Sequence, residues 1–188
     1  MEGYDFGMII LGIDPGSIKT GYALVRKEGK KLNYIESGFL NFNKDVTFLE
    51  RPGMIYDSCR HLVEEYDPDE IAIESLIYVK SPTSLMKLAQ ARGAMVAAFN
   101  KTHVGKIFEY SPNLIKSTVT GDGHASKESI QKFLNMIFGQ RSYKTHDESD
   151  ALAIAVCHAL IGGSPVKIAV RSKKRRLRDL GSRRGMEK

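Results

Sequence analysis

Cysteine is scarce in this chain. The two present, Cys59 and Cys157, stand inside apolar-periodic segments with no CxxC spacing and no histidine pairing. That pattern excludes a zinc scaffold and a disulfide framework, and leaves two buried, reduced thiols as the expectation. Long apolar runs are absent too. The N-terminal MEGYDFG is acidic rather than basic, and the MIILGI that follows is too short for a signal-peptide core or a membrane span. A cytoplasmic protein with no membrane partner is expected. With 188 residues and 42% hydrophobic content, the chain can build one well-packed domain and a flexible extension, but two substantial domains would be a squeeze.

Acidic residues are nearly missing from one stretch. From Ser164 to Lys188 only Asp179 and Glu187 stand against ten lysines and arginines, which leaves 18 basic and 20 acidic residues in positions 1 to 163. The formal charge of +6 is therefore a body near −2 carrying a tail near +8. Few large apolar residues follow Val170, so the tail reads as a disordered arm that gains affinity for a polyanion by releasing counterions. Nucleic acid is the natural polyanion, with Arg171, Lys173, Lys174, Arg175 and Arg176 as the densest contacts. A solubilising or localisation-type charge run is the alternative reading. The division is thus residues 1–163 as the folded domain and 164–188 as a basic tail.

What the body does have is an ordered alternation of apolar runs and turn signals. Residues 8–13, 21–27 and 32–42 predict a three-strand antiparallel meander, broken by DPGSIKT and KEGK. A helix should start near Arg51, with Pro52 in its first turn, and stop at Asp67-Pro68-Asp69. Residues 70–74 predict a short buried strand, 83–99 a small-residue helix and 105–110 a strand. Ser111-Pro112 opens a short helix, Ser126 a second, and Thr145 a last one over 146–161, with Glu148 in capping-box register and apolar residues almost all round. The fold class is α/β: a mixed sheet of five strands, antiparallel meander plus parallel strands, with helices on both faces.

Acids stand where apolar runs end. Asp14 closes MIILGID, Glu74 closes EIAIE and Asp150 opens DALAIAVCHALIG, with Asp147 three residues earlier on the same helix face. Buried carboxylates cost several kcal/mol unless paired, and a divalent metal is a common partner. Asp14 before Pro15-Gly16 also suits a turn former, and Asp147 and Glu148 suit the positive end of a helix. Glu74 has no turn or cap role of that kind. His146, bordering the acid pair, is either a ligand or general base, or a capping or surface residue.

The segments GIDPGSIKTGYALV, IAIESLIYVK, KLAQARGAMV, FEYSPNLIKSTVTGDGHASKESIQ and HDESDALAIAVCHA, in this order and spacing, closely resemble the RuvC family of bacterial Holliday-junction resolvases. The likeness runs from about Ile9 to Ala159. It implies an RNase H-like fold and a homodimer. It also implies magnesium-dependent endonuclease activity that resolves four-way DNA junctions by paired, symmetric nicks in recombination and repair, with a branch-migration helicase complex as partner. Asp14, Glu74, Asp147 and Asp150 then fill the metal-binding acidic positions, holding two Mg2+ ions for which Mn2+ could substitute. Such a pair stabilises both the attacking and the leaving oxygen of phosphodiester hydrolysis. A residue ending a central strand is the most rigidly held, so Asp14 takes the bridging role.

Family equivalents of Lys116 and Lys127 contact the scissile-strand backbone or support the transition state, and the resemblance carries that role to both. Lys127 follows TGDGHAS, whose glycines and helix N-terminus suit a phosphate. Without the likeness, both would read as solvated helix lysines. The loop Ser75 to Pro82, including Lys80, should face DNA. The family's junction-wedging aromatic falls here on Ile77, with Tyr78 next to it; an apolar wedge or a stacked tyrosine would each serve. Two other classes fit parts of the pattern. A non-catalytic junction-binding protein would leave the four acids idle, and an actin or sugar-kinase type ATP-binding protein would need a second such domain.

Overall fold

The computed structural model describes residues 7–42, 45–47, 49–76, 81–141, 143 and 145–162. The meander forms as expected: β1 (Met8–Asp14), β2 (Lys19–Glu28) and β3 (Lys31–Asn41) pair antiparallel in sequence. β4 (Glu70–Glu74) then joins the free edge of β1 in parallel, and β5 (Ile107–Tyr110) extends the sheet in parallel beyond it. The strand order is β3-β2-β1-β4-β5. β5 starts two residues later than the sequence predicts, because Gly105 at φ 76° is still in the turn.

Strand alternation sends β1 side chains to opposite faces. Leu11 and Ile13 join Leu24, Ile71 and Ile73 under α1 (Arg51–Tyr66) and α2 (Pro82–Phe99). Ile10 joins Ala23, Val25 and Ala72 on the other face, under α3 (Pro112–Thr120), α4 (Lys127–Phe138) and α5 (His146–Ile161). Both cysteines are free and buried, one in each core, as the composition predicts.

α5 is the central helix. From Glu148 to Ala159 every residue is buried except Asp150. It lies so close to the sheet that a Cβ on Gly12 would come 2.3 Å from the Ala151 carbonyl oxygen, and one on Gly21 would come 2.1 Å from that of Asp147. Only glycine permits this approach. The capping box predicted for α5 is not made. Thr145 is the N-cap residue but its side chain caps nothing, and Thr145 Oγ1 and Glu148 Oε1 are both buried without a hydrogen-bond partner. Burial against the sheet turns Glu148 inward, away from the N-cap amide.

Candidate active site

The turn after β1 explains how Asp14 is held. Gly16 is tight against the chain ahead, since a Cβ there would sit 1.8 Å from the Lys19 carbonyl oxygen. The buried Thr20 hydroxyl donates to Gly16 O at 3.0 Å and accepts from Gly16 N at 3.1 Å. Thr20 therefore closes the turn, and among the described residues no hydrogen bond reaches the Asp14 carboxylate. The turn-former reading of Asp14 is not what the structure uses.

The remaining acids arrive on different elements. Ile13 is in register with Ile73 across the parallel ladder, so Asp14 and Glu74 end neighbouring strands at the same sheet end. Gly21, paired with Asp14, carries the backbone of Asp147 on its other side. Asp150 follows one turn later on α5. A cleft of about 210 Å³ is lined by Asp14, Glu74, Lys116, Lys127 and Asp150, over an apolar floor that includes Ile115 and Ile130. Lys127 Nζ donates to Asp150 Oδ2 at 2.8 Å.

Electrostatics mark the same place. Burial, and then the charges of Glu74, Asp150 and Asp147, push the Asp14 carboxyl up to about 8, with Lys127 opposing. Burial and Asp150 likewise raise Glu74, against Lys127 and Lys116. The hydrogen bond to Asp150 raises Lys127. Such crowding of like charge in a partly desolvated cleft calls for a cation. The donors are carboxylate oxygens with no thiol among them, which suits a hard ion. Among the described residues no three acidic, histidine or cysteine side chains converge on one point.

Not every predicted residue is in the cleft. His146 is exposed, and its charge is felt at Glu128, whose carboxyl is held low chiefly by Ser126. Ile77, Tyr78, Lys80 and the tail contacts Arg171, Lys173, Lys174, Arg175 and Arg176 lie outside the described residues.

One residue was missed by sequence reasoning. His158, in the last turn of α5, is 0% exposed. Its Nε2 lies 2.6 Å from Glu70 Oε2 and its Nδ1 lies 2.6 Å from the Tyr110 hydroxyl. A neutral ring donating to Glu70 and accepting from Tyr110 satisfies all three groups. Desolvation holds the imidazole below its ordinary value, which agrees, although Glu70 pulls the other way. The available signal was a histidine within the apolar run that follows Asp150 in α5, which needs partners to be buried.

The family model "Crossover junction endodeoxyribonuclease RuvC" matches residues 10–158. The chain belongs to the RuvC family. A RuvC from Legionella pneumophila is 41% identical over 170 residues, covering 89% of this chain and 97% of that protein. One from Idiomarina loihiensis is 37% identical, covering 88% and 95%. Among solved structures, Thermus thermophilus RuvC in complex with a Holliday junction substrate superposes with a TM-score of 0.75 at 27% identity, over 82% of this chain and 94% of that one. The yeast mitochondrial Holliday junction resolvase Ydc2, at 15% identity and a TM-score of 0.61, shares the fold alone. The mixed sheet with its flanking helices is the RNase H-like fold of these RuvC resolvases.

Proposed function

We propose that this RuvC-family endonuclease resolves four-way DNA junctions by paired, symmetric nicks, using Mg2+ held by Asp14, Glu74, Asp147 and Asp150. The observation that supports the reading is that Asp14, Glu74 and Asp150, from β1, β4 and α5, line one cleft, where burial and then the charges of Glu74, Asp150 and nearby Asp147 raise Asp14 to about 8. Two hydrated ions there would activate the attacking water and neutralise the charge that builds on the leaving oxygen.

The chain's own residues divide the remaining work. Asp14, the most deeply held acid, would be the central ligand, Glu74 and Asp150 would each supply a further carboxylate, and Asp147 would assist near the start of α5. Lys116 and Lys127 line the cleft and would face the scissile phosphate. As the phosphate arrives, Lys127 can trade its bond to Asp150 for one to a phosphoryl oxygen, freeing the carboxylate for a ligand role. The loop with Ile77, Tyr78 and Lys80 would engage the branch point, the basic tail the arms. Paired nicks need two clefts, which the family's homodimer supplies, and a branch-migration helicase complex would deliver the junction. Among the described residues no helix is long and apolar enough to cross a membrane.

The test is incubation with Mg2+ and a mobile four-way junction beside duplex and single-stranded controls. The junction alone should be nicked in symmetric pairs. Asp14→Asn should slow cleavage by on the order of 10³-fold or more while leaving junction binding nearly intact. A variant that cuts at the normal rate would remove the metal assignment.

A further inference from the structure

α5 crosses the sheet diagonally. Its first turn sits on Gly21 of β2, Ala151 and Ala155 sit on Gly12 of β1, and His158 reaches Glu70 of β4 and Tyr110 of β5. The imidazole also stacks near Phe108 of β5, with ring centroids 4.7 Å apart. The front and middle of the helix are therefore located by backbone contact with β1 and β2. At the far end the polar ties are His158 to β4 and β5, and the Ala159 carbonyl, which accepts from Lys27 Nζ of β2 at 2.7 Å.

We infer that His158 is a positioning residue for the active site: by tying the last turn of α5 to Glu70 and Tyr110, it fixes the angle of the helix that carries Asp147 and Asp150 relative to the strand that carries Glu74. The contact with Gly12 acts as a fulcrum. At 1.5 Å of rise per residue, His158 lies about 8 Å beyond the fulcrum and Asp147 about 9 Å before it. A tilt of about 5° then moves the acid end by a little under 1 Å, enough to spoil a metal site that tolerates far less. The strand side of the linkage is equally direct. Glu70 and Glu74 begin and end the same five-residue strand, and the Tyr110 carbonyl accepts from the amide of Ser75, next to Glu74.

This role rests on the metal reading of the acids, and the experiment separates the two. Mn2+ binding to the full chain, followed by electron paramagnetic resonance without DNA, is compared for the unaltered protein, His158→Phe, His158→Gln, Tyr110→Phe and Val156→Ala. Val156 is buried on the same helix, and no polar contact of the His158 linkage passes through it. His158→Phe should weaken Mn2+ binding about tenfold, the scale seen when groups that orient metal ligands are lost. Tyr110→Phe, which keeps the packing, should weaken it less, and His158→Gln, whose amide can donate to Glu70 and accept from Tyr110, should recover much of the affinity. Val156→Ala should lower the melting temperature without moving Mn2+ affinity. Equal Mn2+ affinities in Tyr110→Phe, Val156→Ala and the unaltered protein would reduce His158 to a packing residue and overturn the inference, whether or not His158→Phe folds. Failure of the unaltered protein to bind Mn2+ at all would instead sink the metal reading, and the inference with it.

Discussion

Asp14 ends a strand that is buried from Ile10 to Ile13, with three more carboxylates around it, so in the metal-free protein it is cheaper to keep its proton than to ionise. The sign of the consequence follows from linkage. Its folded value, about 8, lies above the ordinary 3.8, so the folded state binds the proton more tightly than the unfolded one. The associated stability is fully present below about pH 4 and is lost as pH rises to about 8. Urea unfolding without metal should therefore show declining stability across that window. Asp14→Asn should flatten the decline and be the more stable form at the alkaline end, by on the order of a few kcal/mol. Mg2+ should reverse the trend, because the ion takes the proton's place. An equally steep decline in the Asn variant would mean that other groups carry it. The residues on which this depends were legible unevenly. Asp14, Glu74 and Asp150 announced themselves at the ends of apolar runs, Asp147 came from its spacing to Asp150 and from the family likeness, and Glu74 had no competing role. Thr20, which closes the turn that aims Asp14, gave no sign, because its partner Gly16 is reached only once the turn has formed.

Elements were easier to read than contacts between them. Every strand and helix follows from local pattern, including Pro52 in the first turn of α1 and Ser111, whose side chain accepts from Leu114 N at the start of α3. The failures concern tertiary burial. Thr145 and Glu148 have the spacing of a capping box, yet packing of α5 on the sheet overrides it, and His158 acquires meaning only when α5, β4 and β5 meet. Gly12 and Gly21 belong to the same class, since a glycine in a strand says nothing about which helix will press on it. Gly21→Ala should test how tightly the first turn of α5 is seated. The added methyl meets the Asp147 carbonyl at 2.1 Å, so the helix start must lift, at a cost of about 1–3 kcal/mol or more in urea unfolding. Cleavage should fall further than stability alone explains, because Asp147 moves with the backbone. A variant that loses stability but keeps its rate per folded molecule would show that the position of Asp147 is not critical.

For the whole molecule, charge is divided between a body near −2 and a tail near +8. Within the cleft only Lys116 and Lys127 stand beside the acids, so the larger cationic surface for DNA is expected in residues 164–188. Deleting residues 164–188 should weaken junction binding. If about five tail cations neutralise phosphates, it should also flatten the slope of log K against log salt by about 4–5. A slope unchanged by the deletion would place the cations that hold DNA within the body. One more consequence comes from α5 itself. It is the last described helix, and it is also the one that covers the middle of the sheet and brings Asp147 and Asp150 to Asp14 and Glu74. While the chain is being synthesised, the strands and the first four helices emerge without Asp147 and Asp150, so under the proposed assignment the acid site forms only when the last described helix docks. On that assignment, a RuvC-family chain still unfinished on the ribosome would be a nuclease unable to cut.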